Sequence, residues 1–128
     1  MRLLKHATFA VLATLALSSS AGMVSTSYVT IGEEGGLAYA QGSLRDARDS
    51  GDSQQYIGCS MDMRPNGDAT IACKARDSAG NFLYCQANND SHVGAVQMIN
   101  SASYINFYAT AEGECHAISP ITGSDYLP

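Results

Sequence analysis

The four cysteines constrain the fold of this chain more than any other feature. Cys59, Cys73, Cys85 and Cys115 are separated by thirteen, eleven and twenty-nine residues. Structural zinc sites usually carry cysteines two to four residues apart, because one tight turn must present two thiolates. A thioredoxin-like redox motif needs two intervening residues. Because neither spacing occurs, we predict no metal site and expect the four cysteines to form two disulfides.

The amino-terminal segment predicts export. A basic start precedes residues 7–17, which carry no charge, and small residues then follow. This order is typical of a secretory signal peptide, and a helix of that length, about 16 Å, is too short to cross a bilayer. We therefore predict a signal peptide over residues 1–21 and a secreted or periplasmic protein, in a compartment where disulfides persist. A second small-x-small sequence allows cleavage as late as residue 40.

The balance of charge disfavours two classes of partner. From Gln41 onward the chain carries five basic and ten acidic residues, a net charge of -5. Phosphate backbones and anionic lipids repel such a surface. We therefore expect neither nucleic acid nor, after signal cleavage, a membrane as a partner. The sequence contains no glycine-rich phosphate loop, and we predict no cofactor.

Residues 22–54 are predicted to be a flexible polar spacer. They are rich in glycine, serine and charge, a composition typical of mobile segments. An alternative is one or two helical turns, because two oppositely charged pairs have the helical i,i+4 spacing. These pairs are Arg45–Asp49 and Arg48–Asp52. We favour the spacer and place the folded domain in residues 55–128.

Alternating polar and apolar residues predict the elements of that domain. Three strands are separated by polar turns at residues 64–68 and 76–81. A helix follows, with Asp90 or Ser91 as its cap. Its apolar stripe consists of Ala95, Met98, Ile99 and Ala102. The predicted strands are residues 55–61, 69–75, 82–87, 103–110 and 115–121.

Together these elements predict a small α+β domain with a mainly antiparallel sheet. It combines a three-strand meander, one helix and a carboxy-terminal hairpin, and two disulfides hold it together. The first three cysteines alternate in phase with aliphatic residues and are therefore expected in the core. Those aliphatic residues are Ile57, Ile71 and Leu83. Aromatic residues fall on the opposite face: Tyr56, Phe82 and Tyr84.

Turn positions limit how the cysteines can pair. A meander with turns near residues 66 and 79 places Cys73 opposite both Cys59 and Cys85. Those two are then two strands apart, about 9 to 10 Å, which is too far for a disulfide. Two pairings remain: Cys59–Cys73 with Cys85–Cys115, and Cys73–Cys85 with Cys59–Cys115. We slightly favour the second.

Three short stretches add a resemblance to known proteins. The sequences YIGC, CKARDSAGN and SYINF, with a last cysteine after a short turn, resemble those of a group of small exported four-cysteine bacterial proteins. The resemblance covers about residues 56–121. It implies export, the disulfides and the order of the strands. Because no activity has been assigned to that group, it implies no function.

His92 and His116 define the enzymatic alternative. A small secreted hydrolase, for example one similar to a nuclease, would use a histidine and a carboxylate, and its candidates are His92, His116 and Glu114. The sequence has neither a Gly-x-Ser-x-Gly nor a His-Glu-x-x-His motif. If the last turn centres on Gly113, Cys115 faces the core and His116 faces solvent. We therefore do not favour an enzyme.

The outward aromatic residues carry the favoured function. Tyr56, Phe82 and Tyr84 are expected close together, and Tyr104 and Tyr108 are candidates to join them. Tyrosine buries a large area at low entropic cost and keeps a polar tip, which suits binding surfaces. The alternative is that the amino-terminal arm or the last hairpin covers this face as a second small core. We predict a non-enzymatic exported module that binds an unknown protein or glycan.

Overall fold

The computed structural model describes residues 22–127, and the predicted signal peptide lies outside them. Over these residues the chain forms two antiparallel sheets and two α-helices. In spatial order, the four-stranded sheet consists of β1 (Thr30–Glu34), β2 (Leu37–Ser43), β6 (Ser103–Ala109) and β7 (Cys115–Thr122). The three-stranded sheet consists of β3 (Tyr56–Met63), β4 (Ala69–Arg76) and β5 (Phe82–Ala87). The helices are α1 (Leu44–Arg48) and α2 (Asp90–Gln97), and a 3-10 turn (Ser124–Tyr126) follows β7.

The small, mainly antiparallel architecture with two disulfides is confirmed, but the topology differs from the prediction. The sequence predicts five strands in one sheet and one helix, whereas the structure has seven strands in two sheets and a second helix. Among residues 22–127, no helix is long and apolar enough to cross a membrane.

The three-stranded sheet forms because two polar turns reverse the chain. Gly67 and Gly80 adopt φ angles of 90° and 86°, which glycine reaches without a steric penalty. In the second turn the Asp77 carboxylate accepts hydrogen bonds from the Ala79 and Asn81 amides, at 3.0 and 2.9 Å. The resulting register places Cys73 opposite both Cys59 and Cys85, as the turn positions predict.

The predicted spacer is instead part of the fold. β1 and β2 form a hairpin in which Glu34 stands opposite Leu37. The turn between them consists of Gly35 and Gly36, with φ angles of 58° and 82°. Two residues with positive φ match the twist of a tight hairpin. The glycines that suggest a flexible segment therefore make a defined turn, and the prediction of a spacer over residues 22–54 is wrong for this hairpin.

A short helix follows β2, so the helical alternative for this segment holds. Ser43 caps α1 by accepting a hydrogen bond from the Asp46 amide at 3.0 Å. The predicted pairs Arg45–Asp49 and Arg48–Asp52 are not the ion pair of this segment, however. Arg45 binds Asp46 instead, with 3.0 Å between guanidinium nitrogen and carboxylate oxygen.

The core lies between the inner faces of the two sheets. Ile71, Cys73 and Ala75 of the three-stranded sheet and Ile105 and Phe107 of the four-stranded sheet are fully buried in one cluster. Non-directional burial of this apolar surface provides the main stabilising contribution.

Helix α2 packs on this core with a stripe that overlaps the predicted one. Val93, Ala95 and Val96 of the helix contact the core, and so does Ile99, two residues past its end. Of the predicted stripe, Ala102 is also buried, and Met98 alone is exposed. The cap is Asn89, whose side chain accepts the His92 amide at 3.0 Å, rather than Asp90 or Ser91.

Candidate functional site

The outer face of the three-stranded sheet brings three predicted aromatic residues together. Cross-strand register aligns Tyr56, Arg76 and Phe82 in one row, and the next row on the same face pairs Lys74 with Tyr84. Phe82 is 51% exposed and Tyr84 is 39% exposed, whereas Tyr56 is partly buried. We call these five residues the aromatic face.

Two cations accompany the rings of the aromatic face. The Arg76 guanidinium lies 5.8 Å from the centroid of the Phe82 ring, within the range of a cation–π interaction. The Nε atom of Arg76 is buried and has no hydrogen-bond partner, and Lys74 is exposed. On β3 the nearest outward carboxylate, Asp62, lies opposite Thr70, away from these rows. The five residues of the aromatic face therefore include two cations and no carboxylate, on a chain that is acidic as a whole.

Tyr104 and Tyr108 do not join this surface, contrary to the prediction. They lie on the outer face of the four-stranded sheet, which we call the covered face together with Tyr39. Tyr108 and Tyr39 are cross-strand partners with ring centroids 6.0 Å apart, and Tyr104 stacks on Tyr126 at 5.5 Å. Burial, with neighbouring tyrosines adding to it, raises the pKa of Tyr104. Each of these tyrosine rings therefore packs against another tyrosine of the same chain.

Two further contacts close the covered face. The Tyr108 hydroxyl donates a hydrogen bond to the Glu34 carboxylate at 3.2 Å. Tyr39 lies over Gly32, so that a β-carbon at that position would come within 2.8 Å of the tyrosine ring. A glycine is therefore required beneath Tyr39 in this conformation. The β1–β2 hairpin, which the sequence did not predict, thus covers Tyr108, while the 3-10 turn covers Tyr104.

The same missed segment contains a network around Arg45 and Asp46. Asp46 accepts a hydrogen bond from the Ser27 amide at 2.6 Å, and Arg45 donates to the carbonyls of Ser25 and Leu127 at 2.7 and 2.5 Å. Burial acts to raise the pKa of Asp46, but these hydrogen bonds and the adjacent guanidinium outweigh it and hold the pKa below its usual value. The network joins the segment before β1 to the segment after β7, and it stabilises the fold there.

Among residues 22–127, no hydrogen bond or ion pair joins His92 or His116 to a carboxylate. His92 lies in the first turn of α2, where its ring contacts the side chain of its cap, Asn89. Cys115 is buried and His116 is exposed, as the sequence predicts, and Glu114 is exposed in the preceding turn. We compared the positions of histidine, cysteine and carboxylate ligand atoms among residues 22–127. One group of three lies within 4.8 Å of one another, and it consists of cysteine sulfurs. A histidine and two carboxylates therefore do not converge in the described part of the chain.

One pocket adjoins the aromatic face through Tyr56. It has a volume of about 580 Å³, and Leu44, Ala47 and Ile57 form its apolar wall. Its charged lining residues are two cations, Arg45 and Arg48, and one carboxylate, Asp49. A second pocket, of about 380 Å³, lies at the last turn and is lined by polar residues that include Glu112 and Glu114 together with Cys115.

The disulfides follow the pairing that the sequence analysis ranked second. Cys59 is bonded to Cys73, and Cys85 is bonded to Cys115. The last turn docks on the edge of β5, where the Gln86 amide donates to the Gly113 carbonyl at 2.9 Å. This contact brings Cys115 beside Cys85 and away from Cys59, so our slight preference for Cys59–Cys115 is wrong. No cysteine of the described residues is free, and none offers a thiolate to a metal.

No family model, curated protein or solved structure matches this chain. The fold and the surface therefore define its class by themselves: a small, disulfide-linked protein of two antiparallel sheets with one covered and one open tyrosine-containing face. The resemblance to exported four-cysteine bacterial proteins stays a prediction.

Proposed function

We propose that the protein is an exported, non-enzymatic binding module whose aromatic face contacts a protein or glycan partner. The observation that carries the proposal is the exposure of Phe82 and Tyr84 beside Arg76 and Lys74. Export itself rests on the predicted signal peptide and on the two disulfides, which suit an oxidising compartment.

The chemistry of the aromatic face supports contact with an acidic partner. Tyrosine and arginine are enriched among the residues that dominate binding energies. Arg76 and Lys74 attract carboxylates, while the exposed rings offer flat apolar area to a side chain or a sugar ring. Because the remaining chain is acidic, a positively charged partner would find its favourable contacts elsewhere.

The rigidity of the sheet supports the same proposal. The disulfide between Cys59 and Cys73 links β3 to β4 on the side opposite the aromatic face. A surface held in place before binding loses little conformational entropy when the partner arrives. Lys74 and Arg76 alternate with Cys73 and Ala75 along β4, so the disulfide restrains the backbone that carries both cations.

A capture experiment tests the proposal. Biotinylated wild-type protein and a Phe82→Ala/Tyr84→Ala variant are used to capture proteins from a cell-surface extract of the producing cells and to probe an array of neutral and acidic glycans. We expect captured signal to fall at least about tenfold in the variant, since two exposed anchors each contribute more than about 1 kcal/mol at a typical interface.

Met98→Ala is the matched control. Met98 is 65% exposed and lies at the carboxy-terminal cap of α2, so the change removes exposed apolar surface away from the aromatic face. Signal that falls equally in both variants, or in neither, contradicts the proposal. The hydrolase alternative is supported by no specific contact among the described residues, and His92→Ala with His116→Ala would leave binding unchanged.

A further inference from the structure

The two disulfides form one contiguous sulfur cluster. The Sγ atoms of Cys73, Cys85 and Cys115 all lie within 4.8 Å of one another, and Cys59 is bonded to Cys73. Cys73 and Cys85 are fully buried and Cys115 is nearly so, whereas Cys59 is only partly buried. An external thiol therefore reaches this cluster most readily at the Cys59 sulfur.

The register makes Cys73 an alternative partner for Cys85. Cys73 stands directly opposite Cys59 on one side and Cys85 on the other. Facing residues of neighbouring antiparallel strands lie about 4.5 to 5.5 Å apart at Cα, within the span of a disulfide. A bond between Cys73 and Cys85 thus requires no change of strand pairing.

We propose that the four cysteines form a thiol–disulfide exchange site that a thiolate enters at Cys59 and leaves at Cys115. In the first step an external thiolate bonds to the Cys59 sulfur, the Cys59–Cys73 bond breaks, and Cys73 departs as a thiolate. In the second step the Cys73 thiolate bonds to the Cys85 sulfur, the Cys85–Cys115 bond breaks, and Cys115 departs as a thiolate. One thiolate is consumed and one is released, so no other oxidant or reductant is needed.

The exchange changes what the disulfides connect. Cys85–Cys115 joins β5 of one sheet to β7 of the other, and in the described part of the chain it is the disulfide that links the two sheets. Cys59–Cys73 joins neighbouring strands of one sheet. After exchange the remaining internal disulfide also lies within one sheet, and the last turn is held to β5 through its backbone contact with Gln86. The freed Cys115 thiol lines the polar pocket of about 380 Å³.

A pair of single-cysteine variants tests this exchange directly. Cys59→Ala leaves Cys73 as a free thiol beside Cys85–Cys115, whereas Cys73→Ala leaves Cys59, which is two strands from Cys85. The variants retain the inter-sheet disulfide partners and carry the same number of cysteines, so they differ only in the place of the free thiol. Each is incubated at pH 8, quenched with acid, unfolded, alkylated and digested with trypsin.

The tryptic sites turn the exchange into a mass difference. Trypsin cleaves after Arg48, Lys74 and Arg76 but not before Pro65, so residues 49–74 carry positions 59 and 73 while the peptide from residue 77 carries Cys85 and Cys115. The observed pairing leaves these two peptides separate. Exchange links them through Cys73–Cys85 and places the alkyl label on Cys115.

We expect roughly one-tenth or more of the Cys59→Ala protein to yield the linked peptides. This is the share expected if the Cys85–Cys115 pairing is favoured over Cys73–Cys85 by no more than about tenfold. Cys73→Ala should yield none. Equal linkage in the two variants, or separate peptides with the label confined to Cys73 in Cys59→Ala, overturns the proposal.

Wild-type protein treated with a limiting amount of glutathione provides the second measurement if either variant fails to fold. Linked peptides that carry one glutathione on Cys59 support the exchange. A glutathione adduct on residues 49–74 with an unchanged Cys85–Cys115 peptide contradicts it. These outcomes do not depend on the aromatic face, so they are independent of the proposed binding function.

Discussion

The two sheets both present tyrosines outward, but only one of these faces is closed by the chain itself. On the covered face, Tyr39 faces Tyr108 and Tyr104 stacks on Tyr126. On the aromatic face, Phe82 and Tyr84 remain 51% and 39% exposed. Both aromatic ring pairs in the described part of the chain belong to the first face. An outward tyrosine therefore indicates a contact surface only where the rest of the chain leaves its ring uncovered.

The flanks of the two sheets differ in the same way. Beside the four-stranded sheet, Arg45 and Asp46 connect the segment before β1 to the end of the chain. Their ion pair is the one salt bridge among residues 22–127, and its side chains are only 11% and 9% exposed. On the three-stranded sheet the charged residues Lys74 and Asp62 point into solvent. The charged pair beside the four-stranded sheet therefore stabilises the fold, whereas the charges on the three-stranded sheet are free to contact a partner.

Removal of the Asp46 carboxylate should have the largest effect on stability. Asp46→Ala leaves the Arg45 guanidinium and the Ser27 amide without their partner, and we expect a loss of about 3 kcal/mol in the free energy of unfolding, measured by urea denaturation. Asp62→Ala is the control, because this exposed carboxylate forms no ion pair among the described residues. It should change stability by no more than about 0.5 kcal/mol. Similar losses in the two variants would show that the flanks do not differ.

Truncation of one tyrosine on each face should separate stability from binding. Tyr104→Ala removes a stacked, partly buried ring and should lower the free energy of unfolding by about 2 kcal/mol. Tyr84→Ala removes an exposed ring and should cost less than about 1 kcal/mol. Urea denaturation compares the variants on the same scale. A larger loss for Tyr84→Ala would mean that the aromatic face is part of the core.

Two strand glycines should respond with opposite signs to the same change. Gly32→Ala forces the Tyr39 ring away from its position and should destabilise the protein by about 1 kcal/mol. Gly58 lies on the outer face of β3, opposite Lys74, and has no atom within 4 Å of an added β-carbon. Gly58→Ala should be neutral or stabilise by about 0.5 kcal/mol, because alanine restricts the unfolded chain. Thermal unfolding of both variants decides the sign.

The smallest expected difference is a dependence on pH. The folded pKa of Asp46 lies below its unfolded value, because hydrogen bonds and Arg45 outweigh its burial. Its contribution is therefore fully present above the unfolded pKa, about 3.9, and is lost as the pH falls through the folded pKa. Unfolding midpoints measured between neutral pH and pH 3 should decline less steeply for Asp46→Asn than for the wild type. If the midpoints of the two proteins declined in parallel, Asp46 would not contribute to the acid sensitivity of the fold.

Much of the three-stranded sheet was predictable because its determinants are local. Turns near residues 66 and 79 fix the register, and alternation then assigns Tyr56, Phe82 and Tyr84 to one face. Helix α2 was predictable as an element, but its cap was not, because Asn89 competes with two adjacent residues that have similar capping ability. One member of its predicted apolar stripe was wrong, since Met98 has the helical spacing but is exposed at the carboxy-terminal cap.

The β1–β2 hairpin shows how composition can conceal an element. Glycines and charges near Gly35 and Gly36 resemble a flexible segment, although two consecutive glycines are also the signal of a tight hairpin turn. Two of the five candidate residues, Tyr104 and Tyr108, were therefore assigned to the wrong surface. Without this hairpin, Tyr108 has no partner and matches Tyr84 in its pattern; with it, Tyr108 faces Tyr39. Tyr104 is covered by Tyr126, from the turn after β7.

The positions of the two polar turns were enough to predict which cysteines face each other across neighbouring strands. Short turns bring adjacent strands into a fixed register, so Cys73 had to face both Cys59 and Cys85. That local rule cannot choose between the two partners. The choice depended on the last turn, which docks on the edge of β5 and brings Cys115 to Cys85. This contact depends on the packing of the two sheets, because a segment thirty residues away along the chain approaches according to the edge and the apolar face that it buries.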